Sequence, residues 1–148
     1  MAVRTRKAKP RTVSQTAPRS QGARSLDRLH CCKDLHEWPQ RWMGFPEDIP
    51  PGEKIVECFR PFLQHLIQLP LSRKTVCKHV NNLWVLGGEI IRDLHETPSL
   101  RKRPVEDLVF ETVEEDGPLP YGCSSEQELR SFESTCRKLR RFLELASR

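Results

Sequence analysis

Apolar residues recur at spacings of three and four along most of the chain after residue 51, the period of helices that bury one face. The first stripe runs from Ile55 to Ile67, and Pro70 ends it. Pro61 lies inside this stripe, and because proline has no amide hydrogen it predicts a kinked or divided helix. A second stripe runs from Val76 to Leu94, and Ser72 before it is a suitable N-cap.

The Gly87-Gly88 pair interrupts the second stripe. Each glycine weakens a helix interior by about 1 kcal/mol relative to alanine. The pair therefore predicts either a close contact that leaves no room for a side chain or a bend in the helix.

Two further helices are predicted toward the C-terminus. Pro104 opens a short third helix, because proline is favoured at the first helical position. The Gly117–Gly122 segment, GPLPYG, is predicted to be a loop. Ser125 and Glu128 form a capping box before a last apolar stripe that ends at Leu143.

The composition divides the chain into three parts. Residues 52–148 carry the four predicted helices, so the fold class is all-α. Residues 26–51 interleave aromatic residues with prolines, which forbid a long helix; we expect a strap packed on the helices, and an exposed aromatic patch is the alternative. Residues 1–25 are predicted to be a disordered basic arm. An organelle transit peptide fits this composition less well, because Pro10 and Pro18 interrupt a helix.

The excess positive charge lies in the arm. The chain has 25 Lys and Arg against 20 Asp and Glu, a net charge of +5. Residues 1–25 hold seven of the bases and no acid, so the other 123 residues carry 18 bases and 20 acids, a net charge of −2. Because these 123 residues carry slightly more acids than bases, they can form a basic surface only if their Lys and Arg residues lie together on one side.

Several classes of function are disfavoured by what the sequence lacks. No run approaches 18 apolar residues, which argues against a transmembrane helix and a membrane partner. No apolar segment follows the basic start, which disfavours a secretory signal and favours the cytoplasm. The GxSxG, P-loop, GxGxxG and HExxH motifs are absent. We therefore expect no enzyme activity, no cofactor and no small-molecule substrate.

The six cysteines are predicted to be free thiols in a reducing compartment. Cys58, Cys77 and Cys136 fall within helical stripes, where a thiol behaves as a small apolar group. The His30-Cys31-Cys32 run lacks the second pair of ligands that structural zinc requires, so we expect no metal site there.

Two predicted helices carry basic residues opposite their apolar stripes. Residues 72–82 contain three bases and no acid, and Lys74, Lys78 and Asn81 share one face. The last helix aligns a similar set: Arg130, Ser134, Arg137 and Arg141, with Lys138 and Arg140 nearby. The third helix is acidic, which polarises the charge. Basic, hydroxyl and amide side chains on two helices are the groups that contact DNA, and ordinary solvated helix faces are the alternative.

The order of these segments resembles the SAM-like core-binding domain of tyrosine recombinases, the phage integrases. The likeness covers residues 52–146. It is carried by the Leu71–Val76 segment, LSRKTV, at the start of the second helix, by Leu83-Trp84 within it, and by the Lys138–Leu143 segment, KLRRFL, late in the fourth. In that family a Leu-Ser-x-x-Thr segment opens the second helix and a Leu-Arg-x-Phe segment lies in the fourth.

The resemblance implies a four-helix SAM-like bundle that clamps one side of double-stranded DNA, with its second and fourth helices toward the major groove. By position, the candidate DNA-binding residues of the second helix are Ser72, Lys74, Thr75, Lys78 and Asn82, with Arg73 beside them. Those of the fourth helix are Arg130, Arg137, Lys138 and Arg141.

The recombinase catalytic residues are missing from this sequence. It has no His-x-x-Arg box, and its one tyrosine, Tyr121, lies in the Pro/Gly loop. The resemblance therefore implies a stand-alone DNA-binding module tied to a mobile element, with a recombinase or another protein as a partner. The alternative is a protein-interaction module on the same scaffold, which uses the acidic third helix and the strap aromatics.

Overall fold

The computed structural model describes residues 29–147, so the arm predicted for residues 1–25 lies outside the described residues. Every regular element within 29–147 is helical, which confirms the all-α prediction. The α-helices are α1 (Trp38–Trp42), α2 (Ile49–Ile67), α3 (Arg73–Glu96), α4 (Val105–Thr112) and α5 (Glu126–Ala146). Short 3-10 helices occupy His30–Cys32, Leu35–Glu37, Pro46–Asp48, Pro98–Lys102 and Glu114–Asp116.

The described chain thus has five α-helices where the sequence predicted four. The additional helix is α1, which lies in the strap (residues 26–51). Pro39 lies in the first turn of α1, where a helix has no partner for the missing amide hydrogen. The prolines of the strap were predicted to forbid a long helix, and α1 has only five residues; what the prediction missed is that a short helix can include Pro39.

The start and the continuity of α2 also depend on where its prolines lie. Pro50 and Pro51 occupy its first turn, so α2 begins at Ile49, before the predicted boundary. Pro61 lies inside α2, but the helix continues through it and is not divided. Pro61 and Glu57, one turn earlier, are both exposed, so the carbonyl that loses its partner faces water.

Helix α3 is capped as predicted and accommodates the strap at its glycine pair. The Ser72 Oγ accepts a hydrogen bond from the Thr75 amide at 3.1 Å. The indole of Trp42 lies so close to Gly87 that a Cβ atom there would overlap it. Trp42 Nε1 also donates to the Trp84 carbonyl at 3.0 Å. Because α3 continues through this position, the close contact is the correct explanation for Gly87.

A disulfide bond joins Cys31, at the start of the strap, to Cys77 of α3, with 5.7 Å between their Cα atoms. The prediction of free thiols was wrong for this pair. It rested on the sequence position of Cys77 within a helical stripe and on the absence of an export signal. Neither observation reveals that the strap returns 46 residues in sequence to lie beside α3.

The core lies where α2, α3 and α5 meet. Phe59 and Leu63 of α2, Leu83 of α3, and Phe132 and Leu139 of α5 are fully or almost fully buried. Helix α4 covers α2 with its own apolar residues. The Ser125 Oγ accepts a hydrogen bond from the Glu128 amide at 3.0 Å, as the capping box predicted. The core therefore fixes α3 and α5 relative to each other.

Candidate functional site

A buried polar cluster joins α3 to α5. His79 Nδ1 and Thr135 Oγ1 share a hydrogen bond of 2.7 Å. Asn82 Nδ2 donates to Thr135 Oγ1 at 2.8 Å and to the Ser131 carbonyl at 3.1 Å. His79 and Thr135 are buried, so these groups satisfy one another inside the bundle.

The same contacts give the relative direction of the two helices. Moving forward along α3 from His79 to Asn82 corresponds to moving backward along α5 from Thr135 toward Ser131. The helices are therefore antiparallel, and the start of α3 lies beside the second half of α5. Lys78 precedes Asn82 by one turn and shares its face of α3, so it lies on the side next to α5.

Lys138 of α5 lies close enough to α3 to affect His79. Burial lowers the pKa of His79, and the positive charge of Lys138 lowers it further. The imidazole is therefore held neutral at neutral pH. Lys138 follows Thr135, the partner of His79, by three residues and thus shares its side of α5.

Five of the ten sequence-predicted residues are exposed cations that form no ion pair within residues 29–147: Arg73, Lys74, Lys78, Lys138 and Arg141. We call them the α3–α5 cations. They come from the first turns of α3 and the second half of α5, the parts that the antiparallel contact brings side by side.

The other five predicted residues already have partners. Ser72 and Thr75 bond to each other at the N-cap of α3, and the amide of Asn82 is used in the contact with α5. Arg130 pairs with Glu126 at 3.5 Å and Arg137 with Asp116 at 3.4 Å. These two arginine pairs are exposed, so little free energy is needed to break them.

A second cluster, which the sequence did not predict, surrounds Asp48. Its Oδ2 accepts hydrogen bonds from the Gly44 amide at 2.7 Å and the Phe45 amide at 3.0 Å, and it lies 2.7 Å from His95 Nε2. Its Oδ1 accepts from Arg101 at 2.7 Å. These residues come from the strap, the end of α3 and the following 3-10 helix.

The Asp48 carboxylate is a structural group. Burial raises the pKa of Asp48, but the hydrogen bonds from Arg101, the Phe45 amide, His95 and the Gly44 amide outweigh burial and hold that pKa well below its usual range. The side chain is buried and both oxygens are engaged, so no lone pair faces a substrate. Sequence patterns do not reveal the cluster, because His95 lies 47 residues and Arg101 53 residues from Asp48.

Metal-binding and membrane-spanning features are absent from residues 29–147. In that range no three His, Cys, Asp or Glu side chains are grouped so that they could hold a metal ion. None of its helices has the length and apolarity needed to cross a membrane.

Comparison with known proteins returns nothing: no family model matches the chain, and no match is found among curated proteins or solved structures.

Proposed function

We propose that the chain is a non-catalytic DNA-binding module whose α3–α5 cations contact the phosphates of double-stranded DNA. The antiparallel contact of α3 with α5 is the observation that carries this proposal, because it brings Lys78 and Lys138 to the same border. Cations without acidic partners neutralise phosphates and release condensed counterions, which favours binding.

The sequence resemblance supports the same helices. In the resemblance, α3 corresponds to the second helix of a recombinase core-binding domain and α5 to the fourth. The module would bind DNA of a mobile element, and a separate recombinase or another protein would carry out any cleavage.

The N-terminal residues add to this proposal through their charge. Residues 1–25 hold seven bases and no acid. The described chain begins at Leu29, two residues before Cys31, and Cys31 is bonded to Cys77, the neighbour of Lys78. The bases of residues 1–25 are suited to additional phosphate contacts of low sequence specificity.

The proposal is tested by fluorescence anisotropy with a labelled random-sequence duplex, titrated with the full chain at several salt concentrations. We expect binding at low salt that weakens steeply toward physiological salt. The double substitution Lys78→Ala and Lys138→Ala should lower the slope of log affinity against log salt by about two, since each lost phosphate contact lowers it by about one.

The matched control is the double substitution Lys54→Ala and Lys102→Ala. It removes the same charge from exposed positions on α2 and on the 3-10 helix after α3. We expect it to leave the slope unchanged. A chain that binds no duplex at low salt contradicts the proposal.

A protein-interaction module on the same scaffold is the second candidate. Met43 and Phe45 favour it, because they remain 43% and 54% exposed at the end of α1. Deleting residues 1–25 discriminates between the two candidates. If DNA binding disappears entirely, the arm alone is adhesive and the interaction module is supported. Residual binding that the Lys78 and Lys138 substitutions abolish supports the helices.

We propose the cytoplasm as the location, because the proposed ligand is DNA. A reducing cytoplasm favours thiols over the Cys31–Cys77 bond. Trapping thiols with an alkylating agent at the moment of cell lysis measures the fraction of this pair that is oxidised. A fully oxidised pair would contradict the cytoplasmic proposal.

A further inference from the structure

A cleft of about 640 Å³ lies between the C-terminal turns of α2 and the second half of α5. Its floor is apolar: Phe62 and Leu66 are almost completely buried beneath it, and the ring of Phe142 lies 5.7 Å from that of Phe62. Leu145 lines the cleft and is 61% exposed. The cleft thus retains apolar surface that a partner can bury.

The rim of the cleft is positively charged. Arg137, Lys138 and Arg141 line it, and no Asp or Glu does. Arg137 has the exposed ion pair with Asp116, whereas Lys138 and Arg141 belong to the α3–α5 cations. A ligand that complements this cleft combines an apolar face with negative charge at its margins.

The cleft is elongated. Its α5 lining runs from Ser134 to Ala146, roughly 18 Å at the rise of an α-helix. Its opposite side runs from Phe62 of α2 to Leu69, two residues after the end of that helix. A groove of this length between two helices matches about three turns of a third helix.

Two segments of the chain itself do not match the cleft. Residues 1–25 carry seven bases and no acid, so the cations of the rim repel them. Helix α4 is acidic, but it buries Leu108 and Val109 in its own core and presents no free apolar face. A partner protein that carries acidic residues beside an apolar face therefore fits the cleft better than either segment of this chain.

We propose that this cleft is a docking site for an amphipathic helix of a partner protein, with apolar residues on one face and Asp or Glu along its margins. Its apolar face packs on Phe142 and Leu145, and its acidic side chains pair with Lys138 and Arg141. Because these two cations are also assigned to DNA, the helix and duplex DNA compete; this last consequence rests on the proposed function.

The probe is a fluorescein-labelled peptide of about 18 residues, roughly 27 Å long as a helix. It carries leucines at spacings of three and four, glutamates on both margins and alanines elsewhere. We expect it to bind the full chain in an anisotropy titration. Two matched peptides, one with lysine in place of glutamate and one with alanine in place of leucine, should each bind at least about tenfold more weakly.

Single substitutions locate the site. Leu145→Glu and Arg141→Glu should each weaken binding of the leucine/glutamate peptide by about tenfold or more. The controls make equivalent changes elsewhere: Leu119→Glu in the Pro/Gly loop, where Leu119 is 77% exposed, and Lys54→Glu at an exposed position in the first half of α2. They should leave the affinity unchanged, and circular dichroism confirms that each variant is folded.

The outcomes separate this docking proposal from the proposed function. If the peptide does not bind while the duplex does, only the docking proposal fails; if the peptide binds and no duplex does, only the DNA proposal fails. Equal binding of the alanine/glutamate peptide overturns docking, because charge alone then explains the attraction. Self-association that Leu145→Glu abolishes also overturns it, because a second copy then occupies the cleft.

Discussion

Asp48 is a single buried charge on which three segments of the chain depend. Its carboxylate accepts hydrogen bonds from the Gly44 and Phe45 amides and from Arg101, and it contacts His95. Removing one partner from such a network leaves the others buried without a counter-charge. Asp48 therefore joins the end of the strap to the end of α3 and to the 3-10 helix that follows.

We expect Asp48→Asn to lower the free energy of unfolding by about 3 kcal/mol, because an amide cannot accept from all four groups. Urea unfolding followed by circular dichroism measures the change. The control is Asp34→Asn, which breaks the exposed pair with Arg41 and should change stability by at most about 1 kcal/mol. Equal effects of the two substitutions would contradict a structural role for Asp48.

His79 predicts a pH dependence of stability. Its pKa in the folded chain lies below the ordinary value of 6.5, mainly because of burial. The unfolded chain therefore takes up a proton first as the pH falls below 6.5, and stability decreases from there toward the folded pKa by up to about 1.4 kcal/mol per pH unit. Well above pH 6.5 both states are neutral at this residue, and this loss is absent.

The corresponding measurement is urea unfolding of the wild type and of His79→Gln at pH values from neutral to about 5. The variant should lose the part of the pH dependence that His79 contributes. His36→Gln, which changes a histidine whose side chain is 71% exposed, serves as the control and should keep the wild-type profile. Identical profiles for the wild type and His79→Gln would exclude this explanation.

At the scale of single helices, the glycine pair of α3 provides a matched comparison. A Cβ atom on Gly87 would overlap the Trp42 indole, whereas one on Gly88 would lie 3.6 Å from the nearest ring atom, an ordinary contact. We expect Gly87→Ala to destabilise the protein by about 1 to 3 kcal/mol through overpacking. Gly88→Ala should stabilise it by up to about 1 kcal/mol through helix propensity.

Thermal unfolding of the two variants tests this comparison. The melting temperatures should shift in opposite directions relative to the wild type. A stabilised Gly87→Ala variant would mean that Trp42 moves away from α3 without loss, and the close contact would then not explain the glycine.

Helix boundaries were predicted correctly where the residues that set them lie within one turn of the helix end. Ser72 and Ser125 cap α3 and α5 as predicted, because an N-cap is defined within one turn. The prolines of the strap and α2 misled the prediction, because proline is disruptive inside a helix and favourable in its first turn. To tell a disruptive proline from a favourable one, the first residue of the helix must be known. The composition around Pro39 and Pro50 does not reveal it.

At the scale of the whole molecule, the Cys31–Cys77 bond closes a loop that contains α1 and α2, with a sequence separation of 46. Such a bond stabilises by restricting the unfolded chain, by about 4 kcal/mol for a loop of this length. We expect Cys31→Ser to lower the free energy of unfolding by that amount. Reduction of the wild type with dithiothreitol should have the same effect.

Urea unfolding with and without the reductant checks this value, and Cys123→Ser, outside the bonded pair, is the control. The unfolded chain should also take up two more maleimide labels after reduction than before. A reductant that leaves the unfolding midpoint unchanged would contradict the role of the bond.

The candidate site was partly accessible from the sequence. Helical periodicity placed Lys74 and Lys78 on an outer face of α3 and Arg141 on an outer face of α5, since periodicity is local. Contacts between residues far apart in the sequence determine which helices lie side by side and whether they run parallel or antiparallel. Asn82 and Ser131, for example, are 49 residues apart. The sequence also gave no sign that Asn82 is used between the helices.

The strap contacts α3 at three positions along its length: at Cys77 through the disulfide bond, at Gly87 through Trp42, and at His95 through Asp48. These positions span 18 residues, roughly 27 Å of helix. A helix held near both ends and in its middle has little freedom to rotate about its axis or to fray. The backbone that carries Lys78, next to Cys77, is thus preorganised, and a ligand of this lysine would lose little further conformational entropy in ordering it.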